Sequence, residues 1–152
     1  MVINQEHIGE TPAADVPGGI GERLRALELQ LLQLIQSSVI NFDDRCRSAL
    51  PESPGIYRIF ELARPNETIR AGRTKTAAGG LRQRVYQNHL MGNQSGNLRA
   101  QLVAGGECLD LESAKILIRE KLGVQVLVVE DAEERARLEH FMLGVLWPRY
   151  CD

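Results

Sequence analysis

The last predicted helix carries a carboxylate at the edge of its apolar face. Leu138, Phe141 and Met142 share one stripe at about 100° per residue, and Glu139 falls at the margin of that stripe. A carboxylate at the edge of a core is partly dehydrated, so it favours a neighbouring cation or a proton. Glu139 is therefore a candidate for chemistry, and a salt bridge to Arg135 one turn earlier is the structural alternative.

Further candidates lie in the stretch from Gly55 to Thr74, GIYRIFELARPNETIRAGRT. Ile, Tyr and Phe residues predict a strand over 55–61, turn-forming residues occupy 64–67, and a shorter strand returns over 68–72. Tyr57 lies in the first strand, and Gly72 ends the second. Taken alone, Tyr57 is typical of a half-buried strand tyrosine and Gly72 of a strand-end glycine.

The elements after this hairpin alternate between helix and strand. Periodicity and caps predict helices at 81–90, 98–103 and 111–122, a buried strand VQVLVV at 124–129, and a last helix. Asp110 and Asp131 are the expected N-caps, with Glu134 completing a capping box. Because an isolated hairpin is marginal in water, residues 124–129 are expected to pair with it. The prediction is an α+β domain with a small three-stranded antiparallel sheet flanked by helices.

The residues before the hairpin divide into two parts. Residues 1–18 predict a flexible tail, and residues 19–50 an N-terminal helical extension ahead of a domain at 51–152. Apolar residues alternate at spacings of four and three from Ile20 to Leu34, which indicates an amphipathic helix over 20–37. Two heptads are too few to predict a coiled coil. The remaining alternatives are that the helix packs on its own domain or that it forms a homodimer contact.

Composition narrows the class of protein. The chain has 152 residues and no apolar run long enough to span a bilayer, and its N-terminus does not resemble a signal peptide. The three cysteines are far apart, so reduced thiols are expected in place of a disulfide framework or a zinc site. A soluble cytoplasmic protein with no membrane partner is the expectation.

Charge is distributed unevenly along the chain. Residues 51–105 carry eight Lys and Arg against three Glu, a local balance of +5 that leaves −7 elsewhere in a chain of net charge −2. A local basic surface on an acidic protein can contact a phosphate backbone. The alternative is a solvated arginine-rich face.

Several short motifs, in order, resemble those of the GIY-YIG nuclease superfamily. Residues 55–57 read GIY, residues 70–72 read RAG and keep only the glycine of the second motif, and residues 81–84 read LRQR. Glu139 stands in a closing helix followed by PRYC at residues 148–151. This ending is most similar to the N-terminal nuclease domain of the incision subunit in bacterial excision repair.

The resemblance implies a metal-dependent endonuclease that hydrolyses phosphodiester bonds in DNA. Glu139 would hold one Mg²⁺ (or Mn²⁺), Tyr57 would orient or deprotonate the attacking water, and Arg84 would stabilise the phosphate. Gly55 and Gly72 would let the hairpin backbone approach closely. These roles predict that Tyr57, Arg84 and Glu139 line one solvent-open groove.

Three positions depart from the family pattern. Arg70 replaces the second motif tyrosine; it cannot act as a base at neutral pH but would face the same groove and clamp phosphate. His89 lies one residue after the position of a family histidine or tyrosine, so it either reaches a leaving oxygen or is an exposed helix-end residue. Cys151 stands in place of an asparagine. The alternative function is a catalytically weak GIY-YIG-like module that binds nucleic acid or a protein.

Overall fold

The computed structural model describes residues 17–76 and 78–151, so the predicted tail lies outside the described residues except for its last two. Within these ranges the chain forms four strands, five α-helices and one π-helix. A short 3₁₀ turn, Pro17–Gly19, comes first. The elements are α1 Ile20–Ile35, β1 Ile40–Asn41, α2 Cys46–Ala49, β2 Gly55–Glu61, β3 Arg64–Arg73, the π-helix Arg82–Leu90, α3 Leu98–Ala104, α4 Leu111–Lys121, β4 Leu122–Val128 and α5 Ala132–Leu146.

The fold is α+β, with one antiparallel sheet of four strands in the order β1-β4-β2-β3. The expected pairing of the third strand with the hairpin is confirmed, because β4 pairs with β2 along its whole length. The expected count of three strands is wrong. Ile40 and Asn41 pair with Val124 and Gly123, adding β1 at the edge. A strand of two residues has no periodicity to read, which is why the sequence does not reveal it.

The sheet is covered on both faces. One core lies between the sheet, α2, the π-helix, α3 and α4; its buried members include Tyr57, Ile59, Leu81, Val85, Leu98, Leu102, Ile118 and Val124. The other lies between the sheet, α1 and α5; its buried members include Leu31, Leu34, Ile56, Ala71, Leu138 and Met142. The helix at 20–35 therefore packs on its own domain.

The boundaries of two strands differ from the expectation. β3 begins at Arg64, so the turn is at residues 62–63 and the expected turn residues belong to the strand. The register between β2 and β3 shifts on both sides of Phe60. The regular pairing of the two strands is therefore interrupted there. α4 ends at Lys121, and β4 begins at once with Leu122. Gly123 therefore pairs in the sheet.

The predicted helix caps are confirmed. The Asp110 side chain accepts a hydrogen bond from the Ser113 amide at 2.7 Å, and the Asp131 side chain accepts one from the Glu134 amide at 2.8 Å. The side chain of Glu134, however, accepts from Gln30 of α1 at 2.6 Å. This bond ties the start of α5 to α1.

The cysteines and the lengths of the helices bear on two expectations from the sequence. Cys46, Cys108 and Cys151 are free thiols in the structure. In the described part of the chain, no helix is both long and apolar enough to cross a bilayer.

Candidate functional site

Tyr57 and His89 form a buried hydrogen-bonded pair. The Tyr57 hydroxyl lies 2.7 Å from Nε2 of His89, and neither side chain is appreciably exposed. On the other side of the ring, Nδ1 of His89 accepts a hydrogen bond from the Leu98 amide at 3.1 Å. A neutral imidazole carries one proton, so accepting at Nδ1 places that proton on Nε2. His89 therefore donates to the oxygen of Tyr57.

The π-helix explains how His89 reaches this position. The Met91 amide donates to the Tyr86 carbonyl at 2.9 Å, a bond across five residues. The buried residues of the helix are Arg84, Val85, His89 and Leu90, which also repeat every five residues. In an α-helix Asn88 would follow Arg84 by one turn, whereas the π-helical register places His89 there. The alternative that His89 is an exposed helix-end residue is wrong.

Positive charge surrounds the His89 ring. Burial, and then the nearby guanidinium groups of Arg70 and Arg84, hold the pKa of His89 well below its usual range. The ring is thus neutral at physiological pH, in keeping with its two hydrogen bonds. The same two cations favour negative charge on any group that lies next to the ring.

Arg70 lies on the same face of the sheet as Tyr57, as the strand alternation predicted. It pairs with Ile59 in the register, two residues from the pair between Tyr57 and Gly72. Arg70 is 1% exposed, and its guanidinium donates to the Gln101 side chain and to the Gly96 carbonyl. The expectation that Arg70 reaches into an open groove is therefore wrong, since the loop before α3 and α3 itself cover it.

A polar pocket of about 140 Å³ adjoins this cluster. Arg84 lines the pocket and hydrogen bonds through Nη1 to the Gln94 side chain at 2.6 Å, which also accepts from Asn88 at 2.8 Å. Two basic residues and several amides and hydroxyls face it, with no carboxylate among the described lining residues. The lining is Thr74, Lys75, Thr76, Ala78, Gly80, Gln83, Arg84, Asn88 and Gln94.

Glu139 lies on the other side of the sheet from Tyr57. Its Oε1 accepts a hydrogen bond from Nε of Arg73 at 3.1 Å, and Arg73 pairs with Ile56 on the face that α1 and α5 cover. The alternative partner, Arg135, instead donates to the backbone carbonyl of Thr74 at 3.0 Å. The sequence predicts that Tyr57, Arg84 and Glu139 line one solvent-open groove. This prediction is wrong for Tyr57, because its side chain has no exposed surface.

Sequence reasoning missed Arg73, although a signal was present. It follows Gly72 in the strand, and alternation places it on the opposite face from Arg70 and Gly72. A basic residue on a mostly apolar face requires a counter-ion, and Glu139 is the carboxylate at the margin of the helix that covers that face. Their separation of 66 residues hides the pair from any local pattern.

The side chains around Glu139, in the arrangement the structure shows, do not form a binding site for a divalent cation. Magnesium prefers an octahedral set of oxygen ligands. Glu139 brings one carboxylate, and the guanidinium of Arg73 already neutralises it. Within residues 17–76 and 78–151 there is no group of three or more His, Cys, Asp or Glu side chains that could hold a metal ion.

The basic segment 51–105 does not form a broad basic surface. Four of its eight cations are at least nine-tenths buried, namely Arg58, Arg70, Arg84 and Arg99. Three others pair with carboxylates: Arg64 with Glu61 and Glu67, Arg73 with Glu139, and Arg82 with Glu52. Most of the positive charge of this segment is thus buried or neutralised, and the two cations of the segment that line the polar pocket are Lys75 and Arg84.

The residues after α5 run along the edge of β3. The amides of Arg149 and Tyr150 donate to the carbonyls of Thr68 and Ile69, and the Tyr150 hydroxyl donates to Glu107 at 2.5 Å. Cys151 contributes its carbonyl, which accepts from the Gln101 side chain at 3.1 Å. This segment covers a sheet edge that would otherwise be open.

Comparisons with known proteins add no relatives. No protein-family model matches the chain, and the searches of curated proteins and of solved structures likewise found no match.

Proposed function

We propose that the chain is an endonuclease of the GIY-YIG type that hydrolyses phosphodiester bonds in DNA. One observation carries the proposal: Tyr57 is hydrogen bonded to His89 on the helix that also presents Arg84 to the polar pocket. The hydrogen-bonded phenol and imidazole adjoin a guanidinium that lines the pocket, and no carboxylate is among the pocket's described lining residues. This arrangement suits an anionic substrate with a proton to transfer.

The reaction sets the tasks of these groups. The oxygen of a water molecule forms a bond to phosphorus, the bond to the leaving oxygen breaks, and the water's proton ends on that oxygen through solvent. Negative charge grows on the phosphoryl oxygens during this exchange. In this proposal Arg84 binds those oxygens, since a guanidinium matches phosphate geometry with two parallel donors.

Tyr57 is the water-orienting group of the proposal. His89 donates to its oxygen, and a second lone pair of that oxygen accepts a hydrogen bond from the attacking water, whose proton then leaves through solvent. Gly72 supports this arrangement, because a side chain there would displace the hydroxyl. His89 is then a positioning residue, whereas Tyr57 and Arg84 contact the substrate.

Substrate access is part of the proposal. Tyr57 is fully buried, whereas Arg84 both lines the pocket and lies close enough to His89 to depress its pKa. In this proposal Arg84 is therefore the residue that links the pocket to the Tyr57–His89 pair. Magnesium dependence and a role of Glu139 as its ligand are implied by the resemblance alone, and no step is assigned to them.

A cleavage assay tests the proposal. Supercoiled plasmid, single-stranded DNA and RNA are incubated with the protein in Mg²⁺, in Mn²⁺ and in chelator. We expect DNA cleavage by the wild type and a loss of about 10²–10⁴-fold in rate for Tyr57→Phe and Arg84→Ala. Tyr86→Phe, on the same helix, is the matched control and keeps the wild-type rate. Absence of cleavage of every substrate under all conditions overturns the proposal.

The second candidate is a module that binds nucleic acid or protein without cutting it. Two observations favour it: the sealed environment of Tyr57 and the pairing of Glu139 with Arg73 on the far face of the sheet. Such a module binds DNA without cleavage, and Lys75→Ala in the polar pocket lowers the log–log salt slope by about one phosphate contact. Cleavage that depends on Tyr57 excludes this candidate.

A further inference from the structure

An apolar groove lies between α1 and α5, on the side of the molecule away from the polar pocket. Its volume is about 390 Å³, and Glu28 is the one charged residue in its described lining. The apolar lining residues are Leu24, Leu31, Leu32, Ile35, Phe141, Val145 and Leu146.

The outer face of α1 continues this apolar surface. Leu24 is 49% exposed and Leu29 is 60% exposed, and Ile20 and Leu32 are also solvent-accessible. On the α5 side, Val145 and Trp147 are exposed as well. An apolar groove with exposed apolar side chains on the helices that form it is typical of an interaction surface.

The charges on this face match a second copy of the chain. At about 100° per residue, Leu24, Arg25, Glu28 and Leu29 fall within roughly 140° of one another on α1. A two-fold axis that passes level with the midpoint of Ala26 and Leu27 sets two antiparallel copies so that residues whose numbers sum to 53 lie at the same level. Arg25 of each copy then lies near Glu28 of the other across the seam, and Leu24 and Leu29 flank these pairs.

We propose that the α1–α5 face, defined by α1 and the groove, pairs with the same face of a second copy about this two-fold axis. An isologous contact requires one self-complementary patch, and the sequence LRALEL at residues 24–29 supplies it. Arg25 and Glu28 fix the register, while the exposed leucines and the groove bury apolar area.

Other occupants fit the charges less well. Residues 1–16 contain Glu6, Glu10 and Asp15 and no Lys or Arg, so that segment would bring like charge to Glu28. A nucleic acid would meet an apolar surface and a carboxylate. A second copy offers an arginine at the level of each glutamate.

Charge reversal tests both the partner and the register. Molar mass is measured by light scattering during size exclusion and by sedimentation equilibrium over a range of concentrations. The wild type is expected to approach twice 16.9 kDa as concentration rises. Arg25→Glu and Glu28→Arg each place like charges opposite each other twice, and each should weaken the dimer by about tenfold or more.

An equimolar mixture of the two single variants gives the decisive result. A heterodimer restores both opposite-charge pairs, so the mixture should dimerise at concentrations at which each variant alone is monomeric. The double variant Arg25→Glu with Glu28→Arg should dimerise like the wild type. Arg119→Glu makes the same charge change on α4, across the sheet, and should have no effect.

Three results would overturn the proposal. The first is a wild type that stays monomeric at every concentration, and the second is a dimer that neither reversal weakens. The third is a dimer weakened by the reversals but not recovered in the mixture or in the double variant. A chain lacking residues 1–16 that dimerises where the full chain does not would assign the groove to that segment.

Discussion

The hydroxyl of Tyr57 lies directly over the backbone of Gly72, its register partner in the sheet. A Cβ at Gly72 would come within 2.8 Å of that oxygen and within 3.2 Å of the ring carbon that bears it. The glycine thus makes room for the phenol at the point where it meets His89. Gly72 therefore has a packing reason that is independent of any catalytic role.

Gly72→Ala should destabilise the domain by about 1–3 kcal/mol, because overpacking displaces the Tyr57 ring from its hydrogen bond. In the Tyr57→Phe background the cost should fall, since the closest contact is with the missing oxygen. Urea unfolding of the four variants measures this coupling. Gly144→Ala is the control: no atom lies within 4 Å of its Cβ position in α5, so it should stabilise by about 0.5–1 kcal/mol. Equal costs of Gly72→Ala in both backgrounds would contradict the contact.

His89 should make the domain sensitive to acid. Its pKa is lowered in the folded state, chiefly by burial, so the unfolded chain binds its proton first as pH falls. The contribution of His89 to the free energy of unfolding is then fully present above the unfolded pKa of about 6.5. Below that pH it declines by up to about 1.4 kcal/mol per pH unit.

Urea unfolding at pH 7.5 and at successively lower pH checks this slope. His89→Gln should be less stable at neutral pH yet show a flatter decline, because the variant has no ring to protonate. His140→Gln, at an exposed position of α5, is the matched histidine replacement and should keep the wild-type slope. An unchanged slope in His89→Gln would refute the assignment.

The ion pair between Arg73 and Glu139 should contribute to stability across the sheet. Glu139→Ala leaves a partly buried guanidinium without its carboxylate and should cost about 1–3 kcal/mol. A double-mutant cycle with Arg73→Gln measures the coupling energy between them. The more exposed pair of Arg82 and Glu52 serves as reference and should couple by less than about 1 kcal/mol.

Magnesium should leave the Tm of the free wild-type protein unchanged, because a cation would have to displace Arg73 from Glu139. Anything that binds only the folded state raises Tm with concentration. A rise in Tm with added Mg²⁺ that disappears in Glu139→Gln would show that the carboxylate holds a metal after all. Chelator treatment of the purified protein should likewise leave Tm unchanged.

Trp147 should be a destabilising residue at the end of α5. Its φ is 49°, the left-handed region, and its side chain is 90% exposed. Trp147→Gly removes the steric cost of this conformation, about 1–2 kcal/mol, and should raise the free energy of unfolding by a smaller net amount. Leu109→Gly, at another highly exposed residue without a positive φ, should give no gain. A loss in Trp147→Gly would show that the indole contributes contacts of its own.

The three thiols should differ in reactivity. Burial raises the pKa of the Cys46 thiol to about 11, and its side chain is inaccessible, whereas Cys151 is exposed. A thiol-specific reagent at neutral pH should therefore modify Cys151 first and Cys46 only on unfolding. Quantifying labelled peptides with and without urea tests the order, with Cys151→Ser as the control. Rapid labelling of Cys46 in the native protein would contradict its burial.

Local signals in the sequence were sufficient for most of the elements. The hairpin, the caps at Asp110 and Asp131, and the pairing of the third strand follow from alternation, side-chain acceptors and the instability of a lone hairpin. Each of these depends on residues close in the chain or on one strong apolar run. The same reasoning placed Arg70 on the face of Tyr57, because alternation along a strand is local.

The tertiary structure alone decided what these residues contact. Arg70 becomes buried because α3 and the loop before it cover the sheet, and Glu139 pairs with Arg73 because α5 crosses the opposite face. The π-helix, whose hydrogen bonds span five residues, brings His89 to Tyr57 where an α-helical period would place Asn88. Short-range hydrogen bonding and periodicity let the sequence determine the hairpin, β4, the longer helices and the caps, but not β1 or α2. The partners of the charged side chains came from long-range packing, which no local pattern encodes.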